Sequence, residues 1–176
     1  MYKLVLAFAL CALISGPVLA WEPDTSDKLE LSVAKSILGA KEKDPTLASW
    51  FETSTAYAVF PRVGKAGIGI GGARGKGLVI QADKTIGRAS LTQITIGLQL
   101  GGQVYSEYVF FKDQTALDDF KRGNFELGAQ VSAVAVTAGA SADADYSKGV
   151  AVFTIAEGGL MYEASVGGQK FKFRNP

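Results

Sequence analysis

Sixteen residues, Arg62 to Gly77, hold seven glycines, and no other stretch restricts the fold of this chain as strongly. The run reads Arg62-Val63-Gly64-Lys65-Ala66-Gly67-Ile68-Gly69-Ile70-Gly71-Gly72-Ala73-Arg74-Gly75-Lys76-Gly77. Gly67, Gly69 and Gly72 satisfy G-x-G-x-x-G, but a dinucleotide site needs a helix next, whose N-terminus meets the pyrophosphate. Here Leu78-Val79-Ile80 follows as a strand, and Asp83-Lys84 as a turn. A Walker-type phosphate loop fails as well: Gly77 stands where Ser or Thr belongs, and Ile70 where the first glycine belongs. Glycine within strands marks bulges, tight bends or close approach of backbones. Two readings remain open. In one, a curved sheet gathers backbone N–H groups and the cations Arg62, Lys65, Arg74 and Lys76 around one spot suited to a phosphate head group. In the other, the glycines serve curvature alone and the cations point into water.

The inventory of side chains closes many chemistries. The 176 residues contain no histidine and a single cysteine, Cys11. Imidazole acid–base catalysis, Ser-His-Asp and Cys-His nucleophiles and His or thiolate metal sites are thereby excluded. Residues 1–20 read as a signal peptide: Lys3 is the positive start, Leu4 to Ile14 the apolar run, and Val18-Leu19-Ala20 the cleavage region. An uncleaved anchor or a buried helix is the alternative. Leu10, directly before Cys11, does not suit lipidation of that cysteine. Residues 21–176 then form a single domain without disulfides, held by its packed core.

From residue 21 onward the charge balances, because the chain has eighteen Lys and Arg, one of them Lys3, against seventeen Asp and Glu. The distribution is uneven. Residues 53–82 and 164–176 carry cations and no acid, the second block through Lys170, Lys172 and Arg174. A neutral total with basic blocks points to a polarised surface if the blocks meet in space, and argues against a nucleic-acid binder. Asp143 and Asp145 lack the spacing of a calcium loop. No metal or cofactor is expected, and paired-carboxylate catalysis has no specific support.

Periodicity predicts α+β architecture: an antiparallel β-sandwich or partial barrel with N-terminal helices packed against it. Leu29, Val33, Ala34, Ile37 and Leu38 fall at helical spacing, with Thr25 or Ser26 as the cap and Gly39 as the end. Asp44-Pro45 opens a second helix bearing Leu47, Trp50 and Phe51. Tyr57 to Phe60 is a short strand stopped by Pro61. Thr92, Ile94, Ile96, Leu98 and Leu100 alternate with polar or small residues as a half-buried strand, and Val104 to Phe111 is another. Asp113 caps a short helix with Ala116, Leu117 and Phe120 on one side, ended by Gly123. Gln130 to Thr137 is a strand. Val150–Ala156 and Leu160–Val166 read as a hairpin around Glu157-Gly158-Gly159, and Gly167-Gly168 as a second turn into Lys170–Arg174. The small residues from Ala133 to Ala144 suit either β-core packing or the wall of a lipid-tail pocket.

Four blocks in order resemble the SYLF lipid-binding family. They are Lys65–Gly72 continuing through Gly75-Lys76-Gly77, then Ile96–Gln103, then Phe110 with the Ala116–Phe120 helix, then Tyr146-Ser147-Lys148-Gly149-Val150. The likeness spans about residues 26–173 and is closest to the stand-alone bacterial form, which is related to yeast actin-patch proteins. The resemblance implies a non-enzymatic, phospholipid-binding, membrane-associated domain. Its head-group contacts are expected at Arg62, Lys65, Gly67, Gly69, Gly71, Gly72, Arg74, Lys76 and Lys148. An amphipathic N-terminal helix is a further expected contact, though Asp27, Glu30 and Glu42 are mixed with its lysines. With a signal peptide, the setting is periplasmic or secreted, the partner a phospholipid or membrane surface, and actin an implausible one. An integral eight-stranded outer-membrane β-barrel is the competing reading.

Overall fold

A computed structural model describes residues 21–123, 126–127 and 133–176. The proposed signal peptide and residues 130–132 of the expected Gln130–Thr137 strand lie outside the described residues. In chain order the elements are α1 (Lys28–Lys43), α2 (Leu47–Thr53), β1 (Ala56–Gln81), β2 (Lys84–Phe111), α3 (Gln114–Lys121), β3 (Glu126–Leu127), β4 (Val134–Ala135) and β5 (Val150–Arg174). The α+β expectation holds: helices pack on one mainly antiparallel, open sheet, ordered β1-β2-β5-β3, with β4 parallel to β5.

Three very long strands dominate, and they absorb turns that local sequence predicts. β1 passes through Pro61 with a bulge between Phe60 and Val63. Proline is tolerated there because β1 is an edge strand and a bulge needs no ladder N–H. The two expected strands of 92–111 are one strand, β2, paired along its length with β1 and β5. The expected hairpin at Glu157-Gly158-Gly159 and turn at Gly167-Gly168 do not form. β5 runs straight through both, because β2 offers it a continuous antiparallel ladder from Phe111 to Arg88. Glu157 is instead the extra residue of a bulge opposite Val104 and Tyr105. Its carboxylate accepts the Ser106 hydroxyl proton.

β1 also doubles back on itself. A β-carbon at Gly77 would lie 2.3 Å from the Val59 carbonyl oxygen, and one at Gly75 would lie 2.8 Å from a Val63 methyl carbon. Only glycine permits that approach, which brings together the two limbs of the strand. Phe60, Val63, Ala73, Leu91 and Phe171 share a core with Leu117 and Phe120 of α3. Phe120 stacks 5.0 Å from Phe111 and 5.3 Å from Phe171.

A second core lies beneath α1 and α2, built from Val33, Ile37, Ala40, Leu47, Val59, Leu78, Ile80, Phe110 and Phe153. The Tyr108 hydroxyl, 2.9 Å from the Ser36 carbonyl, pins α1 to β2. Asp27, not Thr25 or Ser26, caps α1, accepting from the backbone of Leu29 and Glu30. α1 continues past Gly39 because Ala40 is fully buried, and that burial outweighs the modest cost of one helical glycine. α2 starts at Leu47 rather than after Asp44. The enclosed Asp44 carboxylate instead accepts from Thr46, from the Gly139 N–H at 3.1 Å and from the Ser141 N–H at 2.9 Å. It thus ties the helical pair to a distant loop. α3 is capped by Asp113 as expected, through the Ala116 N–H.

Candidate lipid-binding site

The face of β1 that carries Arg74 and Lys76 alternates with the packed positions Ala73, Gly75 and Gly77, so both cations are exposed. The doubled strand sets Arg62 of its other limb beside them. Ser90 pairs with both Lys76 and Lys172 in the sheet, which adds the C-terminal end of β5. Lys28 at the start of α1 closes the ring. The result is a groove of about 770 Å³ lined by Lys28, Arg62, Arg74, Lys76, Lys172 and Arg174, with no carboxylate in its lining among the described residues. None of the six forms an ion pair among the described residues. Gathering like charge without compensation raises the energy of the empty groove, and an anion relieves it. Arg88, farther along β2, is held by the Asp27 cap.

Beyond the groove the limbs of β1 part. Between Gly64–Ala66 of one and Gly72–Arg74 of the other, backed by β2, is a cavity of about 710 Å³. Beyond that the strands run out to an apolar ridge. Ile68 pairs with Leu100 and Ile70 with Ile96, so each couple shares a face, and Ile94 lies two residues before Ile96. These five side chains are 81%, 61%, 68%, 66% and 65% exposed respectively. The alternation at 92–100 is therefore not that of a half-buried strand: at Ile94, Ile96 and Leu100 the apolar face is uncovered. The side chain of Leu98 lies outside the described residues. Between Ile68 and Ile70 the register shifts: Gly69, with φ +69°, stands alone opposite residues 97–99, so the bulge lies in β2.

Of the predicted contacts, Arg62, Arg74 and Lys76 meet in the groove, while Lys65 and Gly72 line the adjoining cavity. Gly67, Gly69 and Gly71 belong to the ridge segment, opposite Gly101, the bulge and Thr95 respectively. Lys148 lies elsewhere, at φ 51° in the turn from Ser147 to Val150 that leads into β5. Lys28, Lys172 and Arg174 were not expected at the site. The signal for the last two is the period-two alternation of Lys170-Phe171-Lys172-Phe173-Arg174, which leaves Phe171 buried while the cations are exposed.

A smaller, more polar cavity of about 420 Å³ lies behind Lys65, lined also by Lys43, Gln103, Glu107, Gln169 and residues of 133–137. The small-residue segment thus borders a space lined by both apolar and polar side chains. Glu107 is fully buried, accepts the Gln169 amide at 2.8 Å, and its Oε1 has no partner among the described residues. Burial pushes its carboxyl up to about 7, against the smaller opposing pull of Gln169.

No helix among the described residues is long and apolar enough to cross a membrane. In comparison with known proteins, residues 92–176 match the Ysc84 family, described as Las17-binding protein actin regulator. The chain is also 28% identical over 131 residues to beta cell expansion factor A of Aeromonas veronii, covering 73% of this chain and 49% of that protein. It therefore spans about half the length of the curated relative it matches. The family match takes in most of β2, α3 and all of β5, so this part of the chain is similar to the Ysc84, or SYLF, domain family.

Proposed function

We propose that this protein is a non-enzymatic module that binds the surface of anionic phospholipid membranes. The observation that carries the reading is the groove of six cations, three of them on β1, beside an uncovered apolar ridge of β1 and β2. Cations attract an anionic surface, each contributing roughly 1 kcal/mol at contact. Large apolar side chains gain about 1.5–3 kcal/mol each when fully removed from water. The two together favour a peripheral, interface-seated protein. The match of residues 92–176 to the SYLF family supports it, since that family is associated with lipid binding. Leu4 to Ile14 supports an exported setting in the cell envelope. The open order of the sheet, with β1 at one edge, supports a peripheral protein over an integral barrel.

Co-sedimentation with vesicles tests the proposal. The protein is expected to pellet with phosphatidylglycerol-containing vesicles and to be released by salt, since screening weakens exposed charge. Equal partitioning onto purely zwitterionic vesicles, or none onto either, contradicts it.

A further inference from the structure

The ridge, the cavity and the groove are joined through shared residues. Ile94 belongs to both the ridge and the cavity wall; Arg74 and Thr92 belong to both the cavity and the cationic groove. A continuous path thus runs from uncovered hydrocarbon, through a largely apolar slot, to clustered positive charge. That is the order of parts in a lipid with one anionic end.

The glycines of the cavity differ from those of the seam. At Gly75 and Gly77 neighbouring atoms exclude a side chain. At Gly72 and Gly102 a β-carbon would meet nothing closer than 3.5 Å, and at Gly64 nothing within 4 Å. None of these three has a positive φ. Neither crowding nor backbone conformation calls for glycine there. What their missing side chains leave is open room in the slot, at a volume within the usual range of small-molecule sites.

We propose that the cavity takes one acyl chain of an anionic phospholipid. The phosphate is held at Arg74 and the neighbouring groove cations, and the chain lies along Gly64, Gly72 and Gly102 toward Ile94. The inference rests on the reading of the groove as a head-group site and adds that a single lipid is gripped by its tail as well.

Titration of the full chain with monomeric lysophosphatidylglycerols, from hexanoyl to dodecanoyl, tests it. Affinity is expected to rise about fourfold for each methylene buried, then level off when the slot is full. Arg74→Ala should weaken all chain lengths alike. Gly102→Val, which occupies the slot, should abolish the dependence on chain length, and Gly64→Val provides the same test at a second wall. An affinity independent of chain length, in protein that still sediments with anionic vesicles, overturns the inference and leaves the head-group reading standing. Chain-length dependence that survives both valine substitutions overturns the placement in this cavity. Binding to neither lysolipids nor anionic vesicles overturns both readings.

Discussion

Arg74 and Thr92 are register partners across β1 and β2, and the pair stands where the cationic groove meets the apolar cavity. Charge and apolar surface are thus contiguous at one ladder position, although the end of β1, a turn and the start of β2 separate the two residues in sequence.

The groove acts through summed charge, so its members are expected to contribute comparably. Arg74→Ala, Lys76→Ala and Lys172→Ala should each reduce affinity for anionic vesicles by roughly fivefold. Each should also flatten the salt dependence, measured by co-sedimentation at low and high ionic strength. Lys148→Ala, outside the groove, should leave both unchanged.

The ridge is uncovered, so polar substitution there should separate binding from stability. Ile70→Ser and Ile96→Ser are expected to shift unfolding free energy by no more than about 0.5 kcal/mol in denaturant titrations. The same variants should lower vesicle partitioning by roughly tenfold, from lost burial of one large apolar side chain. A large stability loss would mean that the ridge is packed in solution.

The seam of the doubled strand has no room. Gly77→Ala places a methyl group against the Val59 carbonyl and is expected to destabilise the protein by about 3 kcal/mol or prevent folding. Gly72→Ala, where the space is open, should be nearly neutral. Thermal or chemical unfolding of the two variants compares them directly.

Glu107 makes stability depend on pH. Its carboxyl, pushed up to about 7 from 4.5, holds a proton in the folded chain over a range where the unfolded chain has lost it. The stabilisation is full below about pH 4.5, falls as pH rises toward 7, and is gone above that, a change of about 3 kcal/mol. Glu107→Gln should flatten the profile between those limits.

Asp44 works in the opposite sense. Burial raises its carboxyl, but hydrogen bonds from Thr46 and Ser141 outweigh this and hold it well below the ordinary carboxylate range. Its contribution is present above about pH 4 and lost as the pH falls further. Asp44→Ala leaves the Gly139 and Ser141 N–H groups without their acceptor and is expected to cost about 2–4 kcal/mol.

Local rules carried the reading of sequence where the cause was local. Asp113 caps α3 as its spacing implies, and the helical stripe through Val33 and Ile37 is buried. They failed where a partner strand decided the outcome. Gly158 and Gly167 read as turns, yet each sits opposite a residue of β2 in a ladder that continues past them, with a bulge at Glu157. Ile94 and Ile96 read as the covered face of a half-buried strand because alternation alone does not say whether anything covers the apolar face. Of the site, Arg62, Arg74 and Lys76 were legible because they share one acid-free segment. Lys28, Lys172 and Arg174 reach the groove only through the pairing of β2 with β5 and the packing of α1, which no window of sequence displays.

Depth-dependent quenching of a tryptophan placed on the ridge probes the membrane-facing end most directly. In Ile96→Trp bound to phosphatidylglycerol vesicles, brominated acyl chains should quench the new indole, while buried Trp21 and half-buried Trp50 of the unsubstituted protein stay unquenched. Vesicle-bound protein whose residue 96 indole is no more quenched than those two would contradict the account.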